Sequence, residues 1–232
     1  MFLILALAVL PSIALMVYTY RLDRVESEPL DLVRRIFFSG ALSTVFAMAL
    51  ESVGAYLLSR ADLSEGGILY NFLFFFVVVA VSEELVKYIP TRRNAWYHPA
   101  FDCAFDAVVY AVAAALGFAA AENIMYVVGY GITVAPTRAI FAVPMHGICG
   151  VFMGHHMGMA KYAESEFRWG AMHMHNILSL AIPIILHGYY DFCLSVDNEI
   201  LSGSFIFFVI ILDIIAFRSL KKYAREDVFF GS

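Results

Sequence analysis

Apolar runs of roughly twenty residues, parted by short polar connectors, take up most of this sequence and leave it little choice of solvent. They fall at about 1–20, 36–58, 68–89, 101–128, 137–160, 173–195 and 203–217. Runs of this length without period-two alternation read as helices, and about 20 apolar residues cross the hydrocarbon core of a bilayer. In lipid every backbone polar group must be satisfied internally, which a helix does within itself. The composition agrees, with 62% of residues hydrophobic and 15% charged, against about 25% charged in a soluble domain. The expectation is an all-α, polytopic transmembrane bundle of about seven spans, forming one domain over residues 1–232 in a cell membrane. No internal repeat is detectable.

The Lys and Arg residues set an orientation. Thirteen of the fifteen lie in the connectors after the first, third, fifth and seventh runs, from Arg21, Arg24, Arg34 and Arg35 to Arg218, Lys221, Lys222 and Arg225. Only Arg60 and Arg138 lie on the other side. Positive connectors stay in the cytoplasm, so the N-terminus is expected outside and the C-terminus inside. The first run lacks a positive leading region and ends in Tyr18-Thr19-Tyr20, which reads as a retained span rather than a cleaved signal. No basic run is long enough to bind nucleic acid. Cys103, Cys149 and Cys193 sit in apolar stretches without metal-type spacing and read as small buried residues.

Ionisable groups inside spans carry the remaining information, because each costs at least ~2.5–3.5 kcal/mol at a helix centre. The third span ends in Ser82-Glu83-Glu84-Leu85-Val86-Lys87. Glu83 and Lys87 are four apart and share a face, so the lysine is expected to hold one acid and leave the other free for proton transfer. The fourth span holds Asp102 and Asp106 near its inner end and Glu122 nearer its outer end. The fifth carries His146, then His155 and His156; the sixth carries His173, His175, and His187 with Asp191 four residues on. At that spacing the aspartate either shares a metal with the imidazole or orients it. At ~1.5 Å per residue, Glu122, His146 and His187 all lie ~9–14 Å below the outer surface, while Glu83 lies deeper, at ~18 Å. One glutamate and two histidines at one level suit a catalytic zinc with an open position, or another divalent metal. His155, His156, His173 and His175 read as ordinary interfacial contacts, and the run Phe72 to Phe76 as lipid-facing or packing surface.

These residues give the chain a resemblance to the PrsW family of bacterial membrane proteases. The shared signs are Glu83-Glu84-x-x-Lys87, Gly117-Phe118-x-x-x-Glu122-Asn123, Arg138 with His146 eight residues later, and His187-Gly188-x-Tyr190-Asp191. Pro11, Asp23 and Glu28-Pro29 extend the pattern over nearly the whole chain. One departure is Asp106-Ala107-Val108-Val109-Tyr110-Ala111, where similar proteins tend to have glycine at the two alanines; looser helix packing is expected there. The family is distantly similar to CAAX prenyl endopeptidases and to a scaffold subunit of gamma-secretase. The resemblance implies first (site-1) cleavage of a membrane-anchored anti-sigma factor, which activates an extracytoplasmic-function sigma factor.

The expected site therefore comprises Glu83, Glu84, Glu122, His146, His187 and Asp191. Glu122, His146, His187 and Asp191 would hold a divalent metal, zinc being the leading choice, and Glu83 or Glu84 would act as general base. A metal-free version has glutamate and histidine activate water while a second histidine and Asn123 stabilise the oxyanion. Gly117, Gly147 and Gly188 would allow the substrate's backbone to approach. Two other classes fit the buried acids: a proton-coupled transporter, although no repeated half is present, and a non-catalytic membrane scaffold.

Overall fold

The computed structural model describes residues 2–23, 27–196 and 198–230. Among the described residues seven long helices follow one another: α1 (Phe2–Leu22), α2 (Leu30–Ser59), α3 (Ile68–Ala95), α4 (Asp106–Tyr130), α5 (Ala142–Ser165), α6 (Trp169–Ser195) and α7 (Glu199–Arg225). A single turn at Ile132–Val134 and a short helix, Ala135–Ile140, lead into α5. Among the described residues there is no β-strand, only an isolated bridge between Cys103 and Phe229. The all-helical expectation holds, and α2, α3, α4, α6, α7 and the stretch Ile132–Ser165 that contains α5 are each long and apolar enough to cross a bilayer. Within α1 the apolar stretch Ala8–Leu22 is shorter. Arg24, one of the positive residues counted above, lies outside the described residues. The expected fourth run began too early: residues 101–105 are irregular, and the helix starts at Asp106.

Large apolar side chains coat the outside of the bundle; Phe38 is 63% exposed, Leu42 68% and Phe207 71%. Water would not tolerate so wide an apolar surface. Lipid does, and the protein is a multi-pass membrane protein.

With lipid outside, helices gain little from burying apolar area and instead associate by close packing of small residues. α4 shows this most strongly, being buried without a break from Asp106 to Ala120. A Cβ added to Gly117 of α4 would stand 2.0 Å from the Phe37 carbonyl oxygen, and one on Gly40 of α2 would stand 2.1 Å from that of Ala114. On the other side of α4, Gly150, Gly154 and Gly158 of α5 lie against the backbone at Ala111, Ala107 and Ala104. The looser packing expected at Ala107 and Ala111 is absent, since α5 supplies the glycines that α4 lacks. Gly188 fits against Phe76, which its Cβ would meet at 2.6 Å. Gly117 and Gly188 thus serve helix–helix contact rather than substrate approach.

α3 is unusual in its middle. Leu73–Ala80 is π-helical, flanked by α-helical Ile68–Phe72 and Val81–Ala95. A π-helix has more residues per turn and advances less along its axis than an α-helix. It therefore draws Glu83 and Glu84 toward the Ile68 end of α3, and this narrows the depth mismatch that straight α-helical counting produces.

At the Lys- and Arg-rich end, the Asp106 carboxylate accepts from the backbone N–H groups of Asp102 and Cys103 at 3.1 and 2.7 Å, fixing the start of α4. Glu28, in the connector before α2, accepts a hydrogen bond from the Tyr110 hydroxyl. Asp23, Glu28 and Asp106 place carboxylate oxygens within 4.8 Å of one another. Burial pushes the Glu28 carboxyl up from 4.5 to about 7. An acid whose pKa rises on folding leaves the fold at full stability below about 4.5 and erodes it as pH climbs to about 7, a loss on the order of 2–3 kcal/mol. Thermal unfolding in detergent should therefore show wild-type stability falling between pH 5 and 8 by roughly that amount, and Glu28→Gln should flatten the slope. Gly154→Leu should destabilise by at least about 2 kcal/mol through overpacking, while Gly129→Ala, which meets nothing within 4 Å, should not.

Candidate active site

A lysine stands at the centre of the site. The Lys87 ammonium is fully buried and donates to Glu83 Oε2 at 2.9 Å and to Glu84 Oε1 at 2.9 Å. One acid was expected to escape it. Both are held, because residues three and four back along a helix are both within reach of one side chain. Lys87 also lies 3.0 Å from His146 Nδ1 on α5 and 4.2 Å above the Phe118 ring of α4. An ammonium can only donate, so Nδ1 of His146 accepts and Nε2 bears the proton. That Nε2–H donates to Glu122 Oε2 at 2.9 Å. Glu122 in turn accepts from Arg138 Nη2 at 2.7 Å. The short helix before α5 carries Arg138, whose guanidinium stacks 3.8 Å above Tyr126.

The sixth helix completes the circuit. His187 Nδ1 lies 2.7 Å from Glu84 Oε1, and its Nε2 lies 3.2 Å from Asp191 Oδ2 and 3.8 Å from Glu83 Oε2. The rings of His146 and His187 meet edge to face with centroids 5.3 Å apart. All six candidate residues, from four helices, therefore share one linked polar network. They differ in access. Glu83, Glu122, His146, His187 and Asp191 line a cavity of about 640 Å³, whereas Glu84 lies behind its wall and is fully buried. The aromatic run of α3 contributes more than packing, since Phe74 and Phe75 also line the cavity. Asn123 does not face it: its amide donates to the Ala8 carbonyl at 3.0 Å, and its oxygen accepts from Arg138 at 2.6 Å. The other histidines are apart from this network, with His156 3.0 Å from His175 and His155 stacked on Tyr223. All three cysteines are free and buried.

The donor set suits a metal. Glu83, Glu84, His146 and His187 each offer a ligand atom, all within 4.8 Å of one another. Among the described residues, the buried Glu84 Oε2 has no hydrogen-bond partner, so a carboxylate lone pair remains for a cation. Two carboxylates and two imidazoles fit zinc or a neighbouring divalent ion. Glu122 and Asp191 meet these imidazoles from outside the convergent set, on the Nε2 atoms.

A buried carboxylate–imidazole network opening into a cavity among membrane helices is the equipment of an intramembrane hydrolase. The chain matches the PrsW family of intramembrane metalloproteases over residues 28–217, and it belongs to that family. It is 33% identical over 195 residues to the protease PrsW of Bacillus subtilis (strain 168), covering 84% of each chain. It is 34% identical over 227 residues to that of Shouchella clausii (strain KSM-K16), covering 95% of this chain and 97% of the relative. The protease PrsW of Clostridioides difficile (strain 630) is 30% identical over 234 residues, covering 97% and 94%. No solved structure matches the chain. The protein is an intramembrane protease of a metalloprotease family.

Two members of the site escape a motif reading. Arg138 stands in the sequence as a lone cation eight residues before His146, and its pairing with Glu122 needs the fold. Glu51 of α2 lines the cavity and was visible in the sequence as a lone acid inside an apolar run. Removing the central cation should be costly: Lys87→Met strands two buried carboxylates, worth about 3–5 kcal/mol. Adding Glu84→Gln to Lys87→Met should recover much of that loss, read as thermal unfolding in detergent.

Proposed function

We propose that this protein makes the first cut in a single-span anti-sigma factor near the extracytoplasmic face, releasing an extracytoplasmic-function sigma factor. The single observation that carries the catalytic part is Glu83, a carboxylate on the cavity wall within 4.0 Å of both His146 and His187. Its neighbour Glu84 has no route to substrate, which separates the two acids by role. Glu83 is the general base. It takes a proton from water at the scissile carbonyl and passes it to the leaving amine. Glu84 is the buried anion that holds His187 and Lys87 in place.

In the metal reading, Glu84, His146 and His187 would hold a divalent ion, with zinc the fitting choice, and Glu83 stays free of the ion beside them as the base. Such an ion would polarise the scissile carbonyl and make bound water acidic near neutral pH. Glu122 and Asp191 then orient the imidazoles through their Nε2 atoms, as carboxylates behind metal-binding histidines do. Arg138 lines the cavity and supplies a fixed cation for the developing oxyanion, a role that the committed amide of Asn123 does not fill.

The side of the membrane follows from the charge partition. Glu122, His146 and His187 lie in the halves of their helices nearer the sparsely charged end of the bundle, which the positive-inside rule places outside. A substrate helix entering there must unwind, because a helical peptide bond is closed to attack.

Purified Glu83→Gln protein should fold normally yet lose at least about 10²-fold of its cleavage of a single-span anti-sigma substrate, the general-base contribution alone being about 10²–10⁴-fold. Glu122→Ala and His187→Ala should also be inactive. Metal analysis of wild type beside His146→Ala and His187→Ala should show about one bound divalent ion per chain, lost in both variants. Full activity in all three cleavage variants would end this reading.

A further inference from the structure

Within the cavity, the charges are almost completely paired. Lys87 holds Glu83 and Glu84, Arg138 holds Glu122, and His187 holds Asp191. Glu51 is the exception. It projects from α2 into the same cavity and is half-buried. Among the described residues no hydrogen bond or ion pair reaches its side chain. Two other acids, Glu83 and Glu122, line the same cavity. Those two acids already engage the cavity's fixed cations.

A carboxylate held at membrane depth, sharing its cavity with other acids and with no cation of its own, attracts a positive group strongly in so weakly polar a setting. The incoming group must come from outside the chain, and the cavity is where the peptide substrate enters. A Lys or Arg in the outer part of a substrate span would otherwise have to stretch back to the interface. Glu51 offers it a partner at depth. We propose that Glu51 is a specificity residue, receiving a basic side chain of the substrate a few residues from the scissile bond. This inference rests on the protease reading for its location and extends it to a substrate class: single-span segments with Lys or Arg in the outer third of the span.

The test uses the full chain in lipid nanodiscs and a panel of labelled single-span peptides. Each is Leu- and Ala-rich and bears one Lys, Gln or Glu, moved position by position through its outer third. Binding is read by fluorescence anisotropy on a Glu83→Gln background, where no turnover confuses it, and cleavage is read separately on the active chain. At one position the Lys peptide should bind about tenfold tighter than the Gln peptide, the scale of a close charge pair at an interface. Glu51→Gln should level the two, and Glu51→Lys should turn the preference toward the Glu peptide. That inversion is a readout which a merely structural role for Glu51 would not produce. Equal binding of Lys and Gln peptides at every position, or a preference that survives Glu51→Gln, would overturn the proposal. A preference for Lys without cleavage of any peptide counts against the protease mechanism instead, whereas cleavage with no preference for charge counts against Glu51 alone.

Discussion

The Lys87 ammonium, fully buried and bonded to two adjacent carboxylates, is the contact on which the rest of the site depends. Desolvating such ions costs several kcal/mol each, repaid only when geometry is close and remaining polar atoms find partners. The repayment here comes from other helices. His146 of α5 accepts from the ammonium, His187 of α6 meets Glu84, and the Phe118 ring of α4 lies under the charge. One lysine thereby ties four helices at one level. The imidazoles it helps position are the groups on which the proposed chemistry rests.

Two packing features make that level possible. The glycines of α2, α4 and α5 bring backbones into contact around α4, so that Glu122 and His146 can meet within hydrogen-bond range. The π-helical stretch of α3 shortens the path to Glu83, and Gly188 lets α6 lie against it at Phe76. Neither feature touches the reaction. Both set distances of a few ångströms on which proton transfer depends.

The different surroundings of Glu83 and Glu84 follow from helix geometry. Adjacent helical residues point about 100° apart, so when one faces a cavity the next is turned into the protein. Glu83 reaches the wall; Glu84 reaches His187. The cavity is polar on the side of this network and aromatic on the side of Phe74 and Phe75, a combination suited to an apolar segment with one exposed peptide bond.

Much of this was legible before any coordinates. The lengths of the apolar runs give seven long helices because a bilayer permits few other backbones, and buried acids and histidines at span depth marked the six residues that form the network. What the sequence could not yield was side-chain geometry across helices. It implied that one acid stays free of Lys87, cast Asn123 as an oxyanion donor, left Phe74 and Phe75 as mere packing, and passed over Glu51. Each of these depends on which face a helix turns to its neighbours. The amino-acid order determined the spans and their ionisable cargo, since hydropathy is a sum over local residues. Tertiary structure alone decided which carboxylate opens on the cavity, which is locked behind it, and which lacks a cation, because those outcomes depend on helix rotation, on the π-helical offset and on contacts between residues distant in the chain.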